Sequence, residues 1–165
     1  MKKTIYVLVS LLVFVGCQKN EPPASAETVV GKWQATTVKG KIGIFGSNED
    51  INENVEKEGL VYEFKTDGTF SSNGFLDEEG GVEKRVISGK YTVSGDQIKI
   101  MYRENSQTKD SVKYYKLALS GNAITLNLTK DLLTVAVNES DPLGTGALLL
   151  SFLSSLDVTY TFKRT

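Results

Sequence analysis

The sequence has no histidine and only one cysteine among its 165 residues. The absence of histidine removes the usual general base and the commonest metal ligand, which excludes Ser-His-Asp and Cys-His catalytic arrangements. A single cysteine, Cys17, excludes an intrachain disulfide and a zinc site built from cysteines. We therefore expect neither a metal nor another cofactor.

The chain also lacks a large excess of charge of either sign. Its 19 basic and 20 acidic residues give a formal net charge of −1, so there is no electrostatic reason to expect nucleic acid as a partner. The hydrophobic fraction of 40% and the charged fraction of 24% are typical of one ordinary globular domain.

The N-terminal residues have the pattern of an export signal. Lys2 and Lys3 precede an apolar run over residues 5–15, which is interrupted only by Ser10. This run is shorter than the roughly 20 residues that a membrane-spanning helix needs, and it is typical of the apolar region of a signal peptide. We predict that residues 1–16 are a signal peptide.

The single cysteine directly follows this segment. Residues 14–17, with the sequence FVGC, resemble the bacterial lipobox, in which the cysteine becomes the lipidated N-terminus; Phe14 stands where leucine is usual. The resemblance implies that Cys17 carries a lipid and anchors the protein to a membrane. The alternative is a buried thiol near an ordinary cleavage site.

Residues 17–28 are predicted to be a lipidated, flexible tether. The sequence QKNE at residues 18–21 resembles the export signal that sends lipoproteins of Bacteroidetes to the cell surface, with Glu21 as its only acid. This resemblance implies an outer-membrane lipoprotein on the cell surface. Without surface export, the protein would face the periplasm.

Residues 29–165 show hydrophobic alternation with a period of two, which predicts half-buried antiparallel strands. In one example, Ile98, Ile100 and Tyr102 alternate with Lys99, Met101 and Arg103. Eight strands are predicted in this way, at about 30–39, 60–65, 69–75, 86–93, 98–103, 110–119, 124–129 and 158–163.

The connections between these strands differ in length. Tight hairpin turns are indicated at residues 67–68, 94–96 and 120–122, because Gly, Asn and Asp tolerate positive φ. The other connections are longer and lie at 40–59, 76–85, 104–109 and 130–156. Since alternate turns of a meander lie at opposite ends, we predict an all-β, eight-stranded antiparallel up-and-down barrel with a closed base and an open mouth.

The last long connection contains a helical pattern. Apolar residues recur at helical spacing over residues 145–156, with Ser151, Ser154 and Ser155 on the opposite side. We predict one short amphipathic helix on the mouth side of the barrel. Packing on the barrel wall and closure over a cavity are both compatible with this pattern.

The first strand begins with Gly31-Lys32-Trp33, which resembles the Gly-x-Trp motif of the lipocalins. In that family the tryptophan plugs the barrel base, and an arginine from the end of the barrel stacks across it. Arg164 is in phase with Phe162 and lies at the base end of the last strand. The resemblance to lipocalin-like lipoproteins of Bacteroidetes therefore implies base closure by Gly31, Trp33 and Arg164. A second lipocalin signature and a helix after the last strand are missing.

Family and residues both favour binding over catalysis. Tyrosines offer broad apolar faces with a hydroxyl that fixes the orientation of a ligand. We expect a small apolar or amphipathic ligand inside the barrel, contacted by the inward residues nearest the mouth, Tyr62, Tyr102, Tyr115, Leu128 and Tyr160. A barrel filled by its own side chains is the alternative.

If the barrel is filled, the mouth loops become the functional surface. Their acidic segment, residues 43–59, favours a module that binds a protein or a glycan. A hydrolase with paired carboxylates is disfavoured, because the acidic residues fall in predicted connections and do not face one another across the interior. We expect a monomeric protein without enzymatic activity.

Overall fold

The computed structural model describes residues 29–76, 81–103, 110–140 and 145–165. The predicted signal peptide, the tether and Cys17 lie outside these residues. Every described strand and helix, and the whole core, lies between residues 29 and 165. This stretch therefore contains a hydrophobic core of its own, as an independently folding domain does.

Eight antiparallel strands close into a barrel, as the alternation predicts. The order around the barrel is β1-β3-β4-β7-β8-β9-β10-β11, and β11 pairs again with β1. The strands are β1 Gly31–Ile44, β2 Ser47–Asn54, β3 Val61–Phe64, β4 Thr69–Ser72, β5 Phe75–Leu76, β6 Val82–Glu83, β7 Ile87–Ser94, β8 Gln97–Tyr102, β9 Ser111–Ser120, β10 Ala123–Thr129 and β11 Leu153–Arg164.

The predicted tight turns join β3 to β4, β7 to β8 and β9 to β10. Gly68, Gly95 and Gly121 have φ values of 79°, 61° and 57°, a region that glycine enters without steric cost. Asp67 stabilises the first turn, because its carboxylate accepts a hydrogen bond from the Thr69 backbone N–H at 2.9 Å. All three turns lie at the end where β1 begins, which is the base.

The prediction of an irregular connection at 40–59 is wrong. β1 continues to Ile44, turns back and pairs with β2, and a 3₁₀ turn follows at Glu56–Glu58. The sequence of β2, SNEDINEN, did not predict a strand, because only Ile51 is buried and apolar and polar residues do not alternate. β2 is a strand because it pairs with β1, and not because of its own sequence pattern.

A second correction concerns the connection at 76–85. β4 ends at Ser72, and β5 and β6 then form a separate two-stranded sheet. This small sheet is hydrogen bonded within itself and is not a strand of the barrel. It lies on the mouth side, because it follows the strand that runs away from the base.

The last connection holds two helices where one was predicted. They are α1, Lys130–Ser140, and α2, Thr145–Phe152. The predicted helix over 145–156 ends early, because β11 begins at Leu153 and Leu156 pairs with Ile42 of β1. The hydrophobic pattern did not predict α1, because this helix buries only Leu132 and Ala136 and is rich in β-branched residues. Neither helix has the length and apolar character that crossing a bilayer would require.

Candidate functional site

The base of the barrel is closed by Trp33. Its side chain is fully buried, and its indole Nε1 donates a hydrogen bond to the Val29 carbonyl at 2.7 Å. Arg164 is the register partner of Trp33 on β11, and its guanidinium carbon lies 4.3 Å from the indole ring. The guanidinium also donates to the Val30 carbonyl at 3.2 Å. These contacts seal the base with a cation over an aromatic face.

Gly31 makes this arrangement possible. A Cβ at this position would lie 2.9 Å from the guanidinium of Arg164, and the φ of 140° is one that side chains rarely adopt. The spacing of Gly31 and Trp33 therefore has a local physical cause. The glycine leaves room for the arginine, and the tryptophan two residues later points inward.

The five residues predicted to line the interior are all buried inside the barrel: Tyr62, Tyr102, Tyr115, Leu128 and Tyr160. They do not form one group. Tyr62, Tyr102 and Tyr115 share a small cleft. Leu128 lines a different space, and Tyr160 packs edge-on against Tyr115 with ring centroids 5.9 Å apart.

Tyr62 lies lower in the barrel than the sequence suggests. β3 has only four residues, and Tyr62 pairs with Trp33 of the base. Burial raises the pKa of the Tyr62 phenol, although a hydrogen bond from the Leu76 backbone opposes this rise. The phenol is therefore neutral at physiological pH and keeps its proton as a donor.

The cleft above the tyrosines is narrow. Its free volume is about 10 Å³, which is room for one water molecule. Below it the interior is filled by aromatic rings, with Phe64, Phe70 and Phe162 almost fully buried. Tyr62 contacts Phe70 and Phe162 at centroid distances of 5.2 and 4.9 Å.

Five further residues line this cleft, namely Phe70, Phe75, Ile87, Ile100 and Lys113, and none of them was among the predicted ligand contacts. Phe75 of β5 lies 5.2 Å from the ring of Tyr102, and the Lys113 ammonium lies 4.0 Å from the Phe75 ring centroid. Lys113 is two residues before Tyr115 on β9, so the period-two pattern already places it on the inward face. Phe75 carried no such signal, because its short strand is outside the barrel sheet.

A second space lies between α1 and β9 and has a volume of about 70 Å³. Lys113 and Leu128 border it from the barrel, and Leu133, Ala136 and Val137 border it from α1. Since Lys113 lines both spaces, the two are neighbours at the mouth. α1 therefore covers the barrel wall beside the mouth and leaves the tyrosine cleft uncovered.

Three polar side chains hold α1 on the wall. Glu139 forms an ion pair with Lys99 of β8 and accepts a hydrogen bond of 2.6 Å from the Tyr114 hydroxyl of β9. The hydrogen bond from Lys99, followed by that from Tyr114, lowers the pKa of Glu139. The hydrogen bond with Glu139 is also the largest cause of the raised pKa of Lys99. Glu139 is exposed and Lys99 and Tyr114 are half-buried, so solvent screens the ion pair and its net contribution to stability is modest.

We expect acid to loosen α1. Because the pKa of Glu139 is lowered in the folded chain, its contribution is present above the ordinary carboxyl value of about 4.3 and is lost as the pH falls below it. Hydrogen exchange should show lower protection of the α1 amides at acidic pH than at pH 7. Glu139→Gln should give the lower protection already at pH 7, whereas Asp131→Asn, in the first turn of α1, should not. Equal protection in Glu139→Gln and wild type would contradict this role.

The described acidic residues of the connection at 40–59 lie on the surface. Glu49, Asp50 and Glu53 lie on the exposed strand β2, and Asp50 pairs with Lys41 at 3.3 Å. The acids at 77–79 lie outside the described residues. In the described stretches, no three potential metal ligands are grouped together.

A closed, eight-stranded up-and-down barrel with a plugged base belongs to a class of folds that commonly bind ligands. The chain belongs to the family of lipocalin-like domains, whose family model matches residues 29–131. No curated protein matches the chain.

Two solved structures from Bacteroides are similar to this chain. A lipocalin-like protein from Bacteroides uniformis has 18% identity and a TM-score of 0.40, over 82% of this chain and 97% of that one. An uncharacterized protein from Bacteroides eggerthii has 14% identity and a TM-score of 0.40, over 82% of this chain and 98% of that one.

Proposed function

We propose that this protein is a non-catalytic binding protein, anchored to the outer membrane through Cys17, that holds a small apolar or amphipathic molecule at the barrel mouth. The observation that carries the proposal is the cleft of Tyr62, Tyr102 and Tyr115, with Phe75 and Lys113 at its edge. Apolar ring faces, phenol groups and one ammonium suit a ligand with an apolar body and a polar end.

Ligand entry requires one element to move, since the cleft has room for about one water molecule. The element that would have to move is the small sheet of β5 and β6, whose two-residue strands pair with one another and not with a barrel strand. Its movement would have to release Leu76, which is buried in the core and whose backbone hydrogen bonds to Tyr62. Displacement of Phe75 from Tyr102 would join the cleft to the solvent at the mouth.

Binding can be tested with a chain that begins at residue 18 and retains the whole described barrel. Native mass spectrometry with fatty acids, sterols and aromatic probes should detect a complex with one molecule per chain. Phe75→Ala should change the affinity several-fold with little loss of stability, because Phe75 is only partly buried. Tyr102→Phe should weaken binding of ligands that need a hydroxyl partner.

A matched control is Tyr91→Phe. The Tyr91 hydroxyl donates to the Lys65 carbonyl at 2.9 Å, near the base and away from the cleft. Its removal should leave ligand affinity unchanged. Absence of binding by every probe, or equal effects of Tyr91→Phe and Tyr102→Phe, would contradict a site at the mouth.

The lipid anchor has its own test. Each buried CH₂ of an acyl chain contributes about 0.8 kcal/mol, so two or three chains attach a protein stably without a membrane span. Cys17→Ser should abolish incorporation of a tagged fatty acid and move the protein to the soluble fraction. Labelling equal to that of wild type would contradict the anchor, and protease treatment of intact cells would distinguish surface from periplasmic display.

The filled interior favours a second function, in which the barrel is a scaffold and binding takes place on its outer surface. In that case no probe binds the cleft, and truncation of the tyrosines acts only on stability. The mouth end then carries the binding surface.

A further inference from the structure

The mouth end of the molecule carries a group of exposed apolar side chains that the proposed ligand site does not use. We call it the apolar tip, and it consists of Ile44, Phe45, Leu148, Leu149 and Phe152. Phe45 is 77% exposed, and Leu148 and Leu149 are 61% and 65% exposed. Apolar side chains of this size are seldom gathered on a surface unless something covers them.

Two elements that are distant in sequence build the tip. The β1–β2 turn supplies Ile44 and Phe45, and α2 supplies the leucines and Phe152. The Phe45 N–H donates to the Phe152 carbonyl at 3.0 Å, and the two rings lie 4.8 Å apart. The hydrogen bond and the ring contact hold the turn and the helix end together as one surface.

The tip projects beyond the barrel rim. The last pair between β10 and β11 is Thr129 with Asp157, whereas β11 continues to Leu153, which pairs with Ile44. Of the strands that the structure describes, only β11, β1 and β2 extend this far along the barrel. The tip is therefore convex and lies at the end of a three-stranded projection. A projection can insert into a deformable surface, whereas a recessed groove cannot.

The backbone conformation of Phe45 is one that phenylalanine does not favour, so the turn itself does not explain why a phenylalanine is found there. Phe45 and Gly46 have φ values of 51° and 80°, so both central residues of the two-residue turn have positive φ. Such turns favour Asn, Asp or Gly at the first central position. A phenylalanine there gains little burial and adopts an unfavourable backbone conformation, so neither the fold nor the turn accounts for it.

The charge around the tip narrows the choice of partner. The sequence has no charged residue over 42–48 and none over 142–156. Glu49 and Asp50 are the nearest acidic residues along β2, but Lys41 of β1 pairs with Asp50 at 3.3 Å, and the Lys130 ammonium donates to the Leu153 carbonyl beside the tip. Because charges of both signs flank an uncharged tip, the tip suits a partner that is apolar inside and uncharged overall at its surface.

We propose that the apolar tip inserts into the interfacial region of a bilayer of zwitterionic phospholipid. Phenylalanine and leucine side chains on a projection, without charge among them, match the apolar face of interfacial membrane-binding segments. A protein partner would bring a polar rim and directional hydrogen bonds, for which the described tip offers few side-chain groups.

This inference does not depend on the ligand site or on lipidation of Cys17, but it is compatible with an anchor. Residues 18–28 span at most about 40 Å when extended. β1 has 14 residues, which span about 45 Å. A lipid on Cys17 and the tip can therefore contact the same membrane, with the barrel lying along its surface, and two attachments hold a protein more stably than one.

Vesicle flotation tests the proposal with the chain from residue 18, which has neither the apolar run of residues 5–15 nor Cys17. Wild type should float with phosphatidylcholine vesicles, and the bound fraction should change little between low and high salt. Vesicles that contain phosphatidylglycerol should bind a similar fraction, because charges of both signs flank the tip. Phe45→Asn should reduce the partition coefficient at least about tenfold.

Phe45→Asn separates a binding role from a structural one. Asn suits positive φ at this turn position, so the variant should keep or raise the melting temperature while it loses vesicle binding. Val86→Ser is the matched control, because Val86 is 82% exposed and lies beside β7, away from the tip. It should float like wild type.

Three outcomes would overturn the proposal. The first is a wild-type chain that does not float with phosphatidylcholine. The second is equal flotation of wild type and Phe45→Asn. The third is a concentration-dependent dimer, or a stable complex with a protein partner, that Phe45→Asn abolishes while vesicle binding is absent; the tip would then be a protein interface.

Discussion

Replacement of Trp33 by alanine is expected to lower the free energy of unfolding by about 3–5 kcal/mol, the range measured for large buried aromatic residues. Trp33 is fully buried, and its indole N–H donates to the Val29 carbonyl. The variant loses the packed ring, leaves this carbonyl without its donor and removes the face on which Arg164 stacks. Chemical denaturation of the chain from residue 18 measures the loss.

Two further measurements separate the contributions to this loss of stability. Trp33 is the only tryptophan, so a blue-shifted, poorly quenched emission from wild type reports its burial directly. Arg164→Ala should cost much less, about 0.5–1 kcal/mol, because a partly exposed cation over a ring contributes only that. A red-shifted emission, or a loss below about 1 kcal/mol for Trp33→Ala, would contradict the description of the base.

The base was the part of the molecule that the sequence predicted best, because two separate signals coincide there. Period-two alternation places Trp33 and Arg164 on the inward face, and chain direction places them at the same end. Their contact at 4.3 Å follows from register alone. The hairpins at Gly95 and Gly121 were predictable for a similar reason, since a turn glycine follows directly after an alternating strand.

Elements without their own hydrophobic pattern were not predictable. β2 is held by its register with β1, and seven of its eight residues are exposed. α1 is held by tertiary contacts of Leu132, Ala136 and Glu139 more than by propensity. In both cases the partner in space, and not the local sequence, determines the structure.

The size of the candidate site could not be predicted from the sequence, for a different reason. Alternation shows that a tyrosine points inward, but it does not show how deeply it lies or what fills the space beside it. The short strand β3 brings Tyr62 down to the level of Trp33. Packing of Phe70 and Phe162 then leaves about 10 Å³ free above it.

A closely packed interior changes how the family's architecture is used here. The barrel as described has a cleft of about 10 Å³ and a projecting apolar tip. The tip lies at the end opposite Trp33, and the cleft extends from Tyr62 towards the same end, so both proposed contacts with other molecules lie away from the base.

Replacement of Tyr160 by alanine is expected to lower the free energy of unfolding by about 3–5 kcal/mol and to create a binding cavity where wild type has none. Tyr160 is buried on β11, pairs with Val38 and Leu126, and packs edge-on against Tyr115. Val38 and Leu126 are apolar and Tyr115 presents an aromatic ring, and a cavity with largely apolar walls accepts a small aromatic molecule.

Phenol or p-cresol should therefore raise the melting temperature of Tyr160→Ala in proportion to the logarithm of its concentration, and should stabilise wild type far less, because the cleft of wild type as described has room for about one water molecule. Tyr160→Phe is the control, because it keeps the ring and loses only the contribution of the hydroxyl, about 1 kcal/mol. Equal stabilisation of wild type by phenol would show that the interior already has room for a ligand, and the site would then extend from the mouth cleft into the barrel.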